Sequence, residues 1–217
     1  MRYKPGQIDQ AIAHLRSVDT IMADLIDKAG PFTLKPDRNR FGLLVRSILS
    51  QQISTAAART IRMRLEQLLL PDKISPEAIA GVTDEQLRSV GLSSQKVSYV
   101  RDLSTRALDC RLRLDRIGRL GDEDAIEHLV QVRGIGRWTA QMFLIFSLGR
   151  LDIFPHDDLI VRDSIRELYG LDELPDKQRS HEIAERWSPY RSVASWYCWR
   201  LIDVKKAAAM DASGYPV

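Results

Sequence analysis

Cysteine is nearly absent: Cys110 and Cys198 are the only two in 217 residues. Far apart in sequence, they offer no disulfide framework, no zinc quartet and no set of four thiolates for an iron–sulfur cluster, and they read as two inert thiols. Long apolar runs are missing too. The longest charge-free stretches, Ser47 to Ala58 and Trp138 to Gly149, span twelve residues each, against the roughly 20 needed to cross a membrane. Met1-Arg2-Tyr3-Lys4-Pro5 leads into a polar amphipathic segment, not an apolar stretch with a small-residue cleavage site, so the expected address is cytoplasmic, or nuclear in a eukaryote, and not secreted. No apolar/polar alternation is long enough for a convincing strand, which makes the expected fold class all-α. With 44% apolar and 28% charged residues, the chain is expected to be folded around one or two cores.

The net charge of +3 hides an uneven distribution. Residues 38 to 119 hold 15 Lys or Arg against 8 Asp or Glu, a local +7 that leaves −4 for the rest. Of the 32 basic residues 24 are Arg, whose planar fork suits bidentate contacts to phosphate as well as surface ion pairs. Such a segment can lie along a nucleic-acid backbone, although charge alone describes a solvated helical face equally well.

Apolar residues from Ile8 through Ile12, Leu15, Val18 and Ile21 to Ile26 keep a three- and four-residue spacing, which predicts one long first helix ending near Gly30-Pro31. The same spacing runs from Phe41 to Leu68, and Pro71 stops it. Ser75-Pro76 and Thr83-Asp84-Glu85-Gln86 read as helix starts, by proline at the first helical position and by capping-box spacing. Trp138 to Leu148 is nearly all apolar and predicts a central buried helix. Asp157 or Asp158 caps a helix that continues to Gly170, and a last helix starts around Pro189, with fraying expected over 207 to 217.

A near-repeat stands out within this pattern. Leu87-Arg88-Ser89-Val90-Gly91-Leu92-Ser93-Ser94-Gln95-Lys96 parallels Leu129-Val130-Gln131-Val132-Arg133-Gly134-Ile135-Gly136-Arg137-Trp138, with one residue inserted. Each reads as helix, glycine-containing turn, helix. Glycines flanking Ile135 allow positive φ and close approach, and the following helix starts with N–H groups directed out of the turn, a site suited to phosphate. This is the physics of a helix-hairpin-helix DNA-binding element, although Gly-x-Gly by itself also fits a plain packing corner.

The second copy is followed by Phe154-Pro155-His156-Asp157-Asp158-Leu159 about twenty residues on, and this pairing resembles the helix-hairpin-helix/Gly-Pro-Asp superfamily of DNA glycosylases. Within it, Ile48-Leu49-Ser50-Gln51-Gln52-Ile53-Ser54, Gly134 to Ala140 and Trp187 to Trp196 are similar to the 3-methyladenine DNA glycosylase II branch, over residues 40 to 203. The resemblance implies a two-lobed helical enzyme with DNA in the cleft between lobes. Residues 37–151 would form a central lobe carrying the hairpin, and 1–36 with 152–217 a second lobe.

A glycosylase reaches the glycosidic bond by rotating the nucleotide out of the stack. By resemblance, backbone N–H groups around Gly134, Ile135 and Gly136, with Arg137 and Lys96 beside them, would hold phosphates. Gln52, after the Leu49-Ser50-Gln51 turn, would fill the gap left by the base, and Leu92 would press on the opposite strand. Read without the family, Gln52 is a helix-capping amide and Leu92 a core leucine. The resemblance also puts a monovalent cation at the backbone carbonyls of Gln131, Arg133 and Gly136; no other cofactor is expected. Hydrolysis develops positive charge on the sugar, and a fixed carboxylate stabilises it and orients water. Composition cannot separate Asp157 from Asp158, each an ordinary cap on its own. The resemblance selects Asp157, two residues after Pro155.

Relatives that also nick the strand carry a lysine where this chain has Trp138, so no amine is available there for Schiff-base chemistry. The resemblance therefore implies a monofunctional hydrolase for alkylated purines of the 3-methyladenine and 7-methylguanine type. Trp138 would stack on the cationic base and Met142, one turn on, would line the same pocket. Which of Trp187, Trp196 and Trp199 joins them is left open. The expected partner is double-stranded DNA containing damaged bases, the expected state a monomer, and no membrane is involved. Two other readings compete: a glycosylase of this fold for deaminated or other bases, and a catalytically silent helix-hairpin-helix module that only grips DNA.

Overall fold

Asp19 divides the predicted long first helix in two. In the computed structural model, which describes the backbone of residues 3–212 and the side chains of 3–206, α1 (Gln7–Val18) ends and α2 (Thr20–Ala29) begins around it. Asp19 is extended at φ −151°, and its carboxylate accepts the Met22 N–H at 3.1 Å and the Trp187 indole N–H at 3.0 Å. The Tyr169 hydroxyl donates to it as well. Apolar spacing survives this break because both helices turn apolar faces into one core, so periodicity alone cannot register the cap.

The chain divides into two compact units. Asp37–Leu148 contains α3 (Arg40–Ser50), α4 (Thr55–Leu68), α5 (Pro76–Gly81), α6 (Asp84–Ser89), α7 (Ser94–Leu108), a 3-10 turn at Ile117–Arg119, α8 (Asp122–Val130) and α9 (Arg137–Phe146). The apolar spacing from Phe41 to Leu68 is interrupted by a turn, after which Ser54 starts α4 by accepting the Ala57 N–H at 3.3 Å. Thr83 and Gln86 form the reciprocal capping box their spacing predicts, a feature worth about 1 kcal/mol. Helix α9 buries Thr139 through Ile145 on all sides, as its apolar run requires. Leu44, Ile48, Leu49, Leu65, Ile79, Leu87 and Phe143 are among the fully buried side chains of this unit.

The other unit, Met1–Pro36 with Gly149–Val217, adds α10 (Leu159–Leu168), α11 (Lys177–Ala184), a 3-10 turn at Glu185–Trp187 and α12 (Arg191–Ala212) to α1 and α2. Its core is built on Leu15, Met22, Ile165, Trp187 and Tyr197, with Phe154 at its edge. Burial at about 25 cal/mol per Å² makes the large aromatic rings its main source of cohesion. No strand occurs among the described residues, and no helix is long and apolar enough to cross a membrane. Helix α12 stays helical to Ala212, through part of the stretch over which fraying is expected, and the rest of that stretch, 213–217, lies outside the described residues.

Candidate active site

The second hairpin joins α8 to α9 through residues 131–136. Gly134 has φ +80°, and a β-carbon there would stand 2.1 Å from Tyr99 Cδ2 on α7, so both backbone conformation and space demand glycine. The Tyr99 hydroxyl is itself held by the Gln95 amide at 2.7 Å. Gly136 is the N-cap of α9 and brings no side chain to cap it, and nothing lies within 4 Å of where its β-carbon would be. The helix therefore starts on an open surface, the geometry that favours an anion. Ile135 does not share that role: it is 3% exposed and its N–H donates to the Val132 carbonyl at 3.1 Å inside the turn. The expectation that its amide holds a phosphate is corrected accordingly. Arg137 projects from the start of α9 and pairs with Glu123 of α8 at 2.6 Å, on an exposed surface where such a pair exchanges readily.

The turn after α3 is tied to this hairpin. Gln51 donates its side-chain amide to the Gly134 carbonyl at 2.7 Å. Gln52, next in line, is exposed and adopts φ 57°, a left-handed conformation that costs a non-glycine residue about 1–2 kcal/mol. Lys96 spans from α7 to the end of α3, where its ammonium donates to the Leu49 carbonyl at 2.7 Å, and partial burial lowers its pKa. That cation completes a helix C-terminus instead of reaching outward to DNA, which corrects its expected role. Leu92 is likewise corrected: at 4% exposure it is a core leucine, because the first hairpin turns its polar residues Ser93, Ser94 and Gln95 outward.

Asp102 fastens the hairpin from below, accepting the Arg133 N–H at 2.9 Å and the Arg106 guanidinium at 3.0 Å. Carbonyl oxygens are hard donors of the kind a monovalent cation takes. That of Gly136 accepts the Ala140 N–H at 3.0 Å and keeps a second lone pair. Between α3 and α4, Arg46, Ser47 and Ser50 face Thr55, Arg59 and Arg62 across a groove of about 440 Å³.

Asp157 and Asp158 have different surroundings. A tight turn from Pro155 to Asp158, closed by the Asp158 N–H on the Pro155 carbonyl at 2.8 Å, sets Asp157 at its outer corner with the side chain 35% exposed. Asp158 is 6% exposed and committed: it accepts the Val161 N–H at 3.0 Å as the N-cap of α10 and the Trp199 indole N–H at 3.1 Å. Asp157 instead meets Lys177 Nζ at 2.7 Å and His156 Nε2 at 3.4 Å. The Lys177 hydrogen bond holds its carboxyl below the usual carboxylate range, against some desolvation and with the charges of His156 and Arg162 adding to the effect. It is a fixed anion, the form that can stabilise a developing cation.

Trp138, on the first turn of α9, is 42% exposed, and Met142 one turn along is 8% exposed. The indole is therefore not a core side chain. Trp187 and Trp196 do belong to the core of their unit, while Trp199 packs on its edge and serves Asp158.

Several supporting residues are not identified by sequence reasoning. Arg191 grips Asp152 with two bonds of 2.7 Å, and Ser192 Oγ accepts the Ile153 N–H at 2.8 Å, so the start of α12 braces the strand of chain leading to Asp157. Lys177 lies on α11, a helix that the apolar spacing does not reveal because little beyond Ile183 and Ala184 is apolar and inward in it. The signal available is Pro175-Asp176, a helix start whose aspartate accepts the Arg179 N–H at 2.7 Å.

The pattern of the HhH-GPD superfamily of base excision DNA repair proteins matches residues 45–189. The alkylbase DNA glycosidase-like protein mag2 of Schizosaccharomyces pombe is 31% identical over 203 residues, 91% of this chain and 95% of its own length. Two solved structures are similar throughout. The 3-methyladenine DNA glycosylase of Schizosaccharomyces pombe, in complex with abasic DNA, superposes with a TM-score of 0.79 at 32% identity, covering 88% of this chain and 95% of that one. The DNA-3-methyladenine glycosidase of Bacillus halodurans gives 0.80 at 34% identity over 99% and 96%. With the hairpin, the Pro155-His156-Asp157 turn and this match over most of its length, the chain belongs to the HhH-GPD superfamily of base excision DNA repair proteins.

Proposed function

We propose that this protein is a monofunctional DNA glycosylase that releases alkylated purines of the 3-methyladenine type, leaving an abasic site. The observation that carries the reading is Asp157: an ionised, partly exposed carboxylate at the corner of its turn, two residues after Pro155, in a chain 32–34% identical to 3-methyladenine DNA glycosylases. The partner is DNA containing damaged bases. Phosphates are held at the open start of α9 around Gly134 and Gly136, with Arg137 and the arginines of the α3–α4 groove supplying charge that releases counterions. Gln52, presented in a left-handed turn, occupies the space left by the rotated nucleotide. A monovalent cation at the Gln131, Arg133 and Gly136 carbonyls would add positive charge beside the same phosphates.

The exposed indole of Trp138 offers a π-face to a base that carries positive charge, an attraction of about 0.5–2 kcal/mol. Such a base is already a good leaving group, so the chemistry needs no strong general acid. As the glycosidic bond lengthens, charge builds on the sugar, and Asp157 stabilises it and orients the water that attacks C1′. Trp138 has no amine, and the strand is not cut through that position.

The experiment is release of free bases from methylated DNA, alongside DNA containing uracil, hypoxanthine or ethenoadenine. Release of 3-methyladenine or 7-methylguanine with strand breaks only after alkali is expected. Release confined to a deaminated or etheno base would reassign the substrate, and silence on every lesion would make the chain a DNA-binding module.

A further inference from the structure

Helix α11 presents two side chains one turn apart to the loop that carries Asp157. Lys177, at its first position, donates to Asp157 Oδ1 at 2.7 Å, and His181 Nε2 meets His156 Nδ1 at 3.2 Å. The other His156 nitrogen lies 3.4 Å from Asp157 Oδ2. Each carboxylate oxygen therefore has its own cationic or ring-nitrogen neighbour, and the carboxylate plane is fixed from two sides. Behind them the His181 ring packs edge-on against Phe154, centroids 5.0 Å apart, at the border of the core. Lys177 is 62% exposed at its side chain and contributes nothing to that core, so its place beside the acid is not a by-product of packing.

Resting on the reading of Asp157 as the catalytic carboxylate, we propose that Lys177 and His156 are positioning residues for base release, together aiming the Asp157 carboxylate through one oxygen each. A carboxylate near a fixed cation stays charged at lower pH, and one clasped on both oxygens loses less orientation before the reaction. The groups acting on Asp157 are Lys177 from α11, His156 from its own loop and Arg162 from α10, whose guanidinium donates to the Pro175 carbonyl at 2.8 Å, while His181 of α11 meets His156. Because the Asp157 carboxyl is depressed, its activity is present above its pKa and lost as pH falls through it. Removing Lys177 moves that loss to higher pH.

The test measures single-turnover release of 7-methylguanine at pH 7.5, with enzyme-free release subtracted, and follows the ionisation of the Asp157 carboxyl in the free protein by carbon-13 NMR from pH 2 to 7, for the wild type, Lys177→Met, Lys177→Arg, His156→Phe and Asp157→Asn. The acid limb is the fall of that ionisation with pH and the plateau the rate at pH 7.5. In Lys177→Met the acid limb is expected to move to higher pH, and the plateau rate to fall by about tenfold, with the Kd for abasic DNA and the Tm unchanged. Lys177→Arg is expected to restore the limb, and His156→Phe to lower the plateau. An unmoved limb in Lys177→Met, or failure of arginine to restore it, overturns the proposal while leaving the glycosylase reading intact. Normal release by Asp157→Asn would instead overturn the reading beneath it.

Discussion

Tyr99 lies across Gly134 so closely that a β-carbon there would stand 2.1 Å from the ring. The contact locks the hairpin turn onto α7, and Gln51 closes it from the other side through the Gly134 carbonyl. Replacing Gly134 by alanine must pay for a positive φ and displace the tyrosine at once. Gly134→Ala is expected to lower stability by about 2 kcal/mol or more, and to weaken binding to abasic DNA beyond that loss. Gly136→Ala, at φ −88° with open space around it, serves as the mild control. Chemical denaturation and a binding titration on both variants check this.

Arg59 lies on the wall of the α3–α4 groove. If its guanidinium contacts one phosphate, Arg59→Gln lowers the slope of log K against log salt by about 0.9. A slope equal to that of the wild type would remove the groove from the DNA path.

Trp138→Ala is expected to cost less stability than the same change at the fully buried Trp187, since the indole is 42% exposed. Release of cationic 7-methylguanine should slow by about 2- to 30-fold, the equivalent of 0.5–2 kcal/mol. Release of a neutral base such as hypoxanthine, where any is seen, should slow less. Equal losses on both would point to shape instead of charge.

Arg191→Met removes the two side-chain bonds to Asp152, leaving the Arg191 N–H on its Oδ1 at 3.2 Å, and loosens the segment that leads through Ile153 to Asp157. The pair is about three-quarters buried, and its loss should cost about 1–3 kcal/mol. Slower base release at unchanged KM is expected, read from a thermal melt and steady-state kinetics together.

These residues show what the sequence discloses and where it stops. The second hairpin is legible because Gly-x-Gly between two apolar periodic segments has few structural solutions, and Asp157 because its distance from Pro155 matches a family pattern. Arg191 and Lys177 are not legible, since their value depends on partners 39 and 20 positions away that no local pattern links to them. Ile135, Leu92 and Lys96 sit in the right turns, but which way a side chain or amide points within a turn is settled by packing. Asp19 escapes the periodicity because two short helices facing one core keep the spacing of a single long one.

The most direct test is single-turnover release of 3-methyladenine by Asp157→Asn, compared with the wild type on the same methylated DNA. The variant is expected to bind abasic DNA with the wild-type Kd and to release base at least about a hundredfold more slowly. Release at the wild-type rate would contradict the assignment of Asp157 and, with it, the mechanism built on its carboxylate.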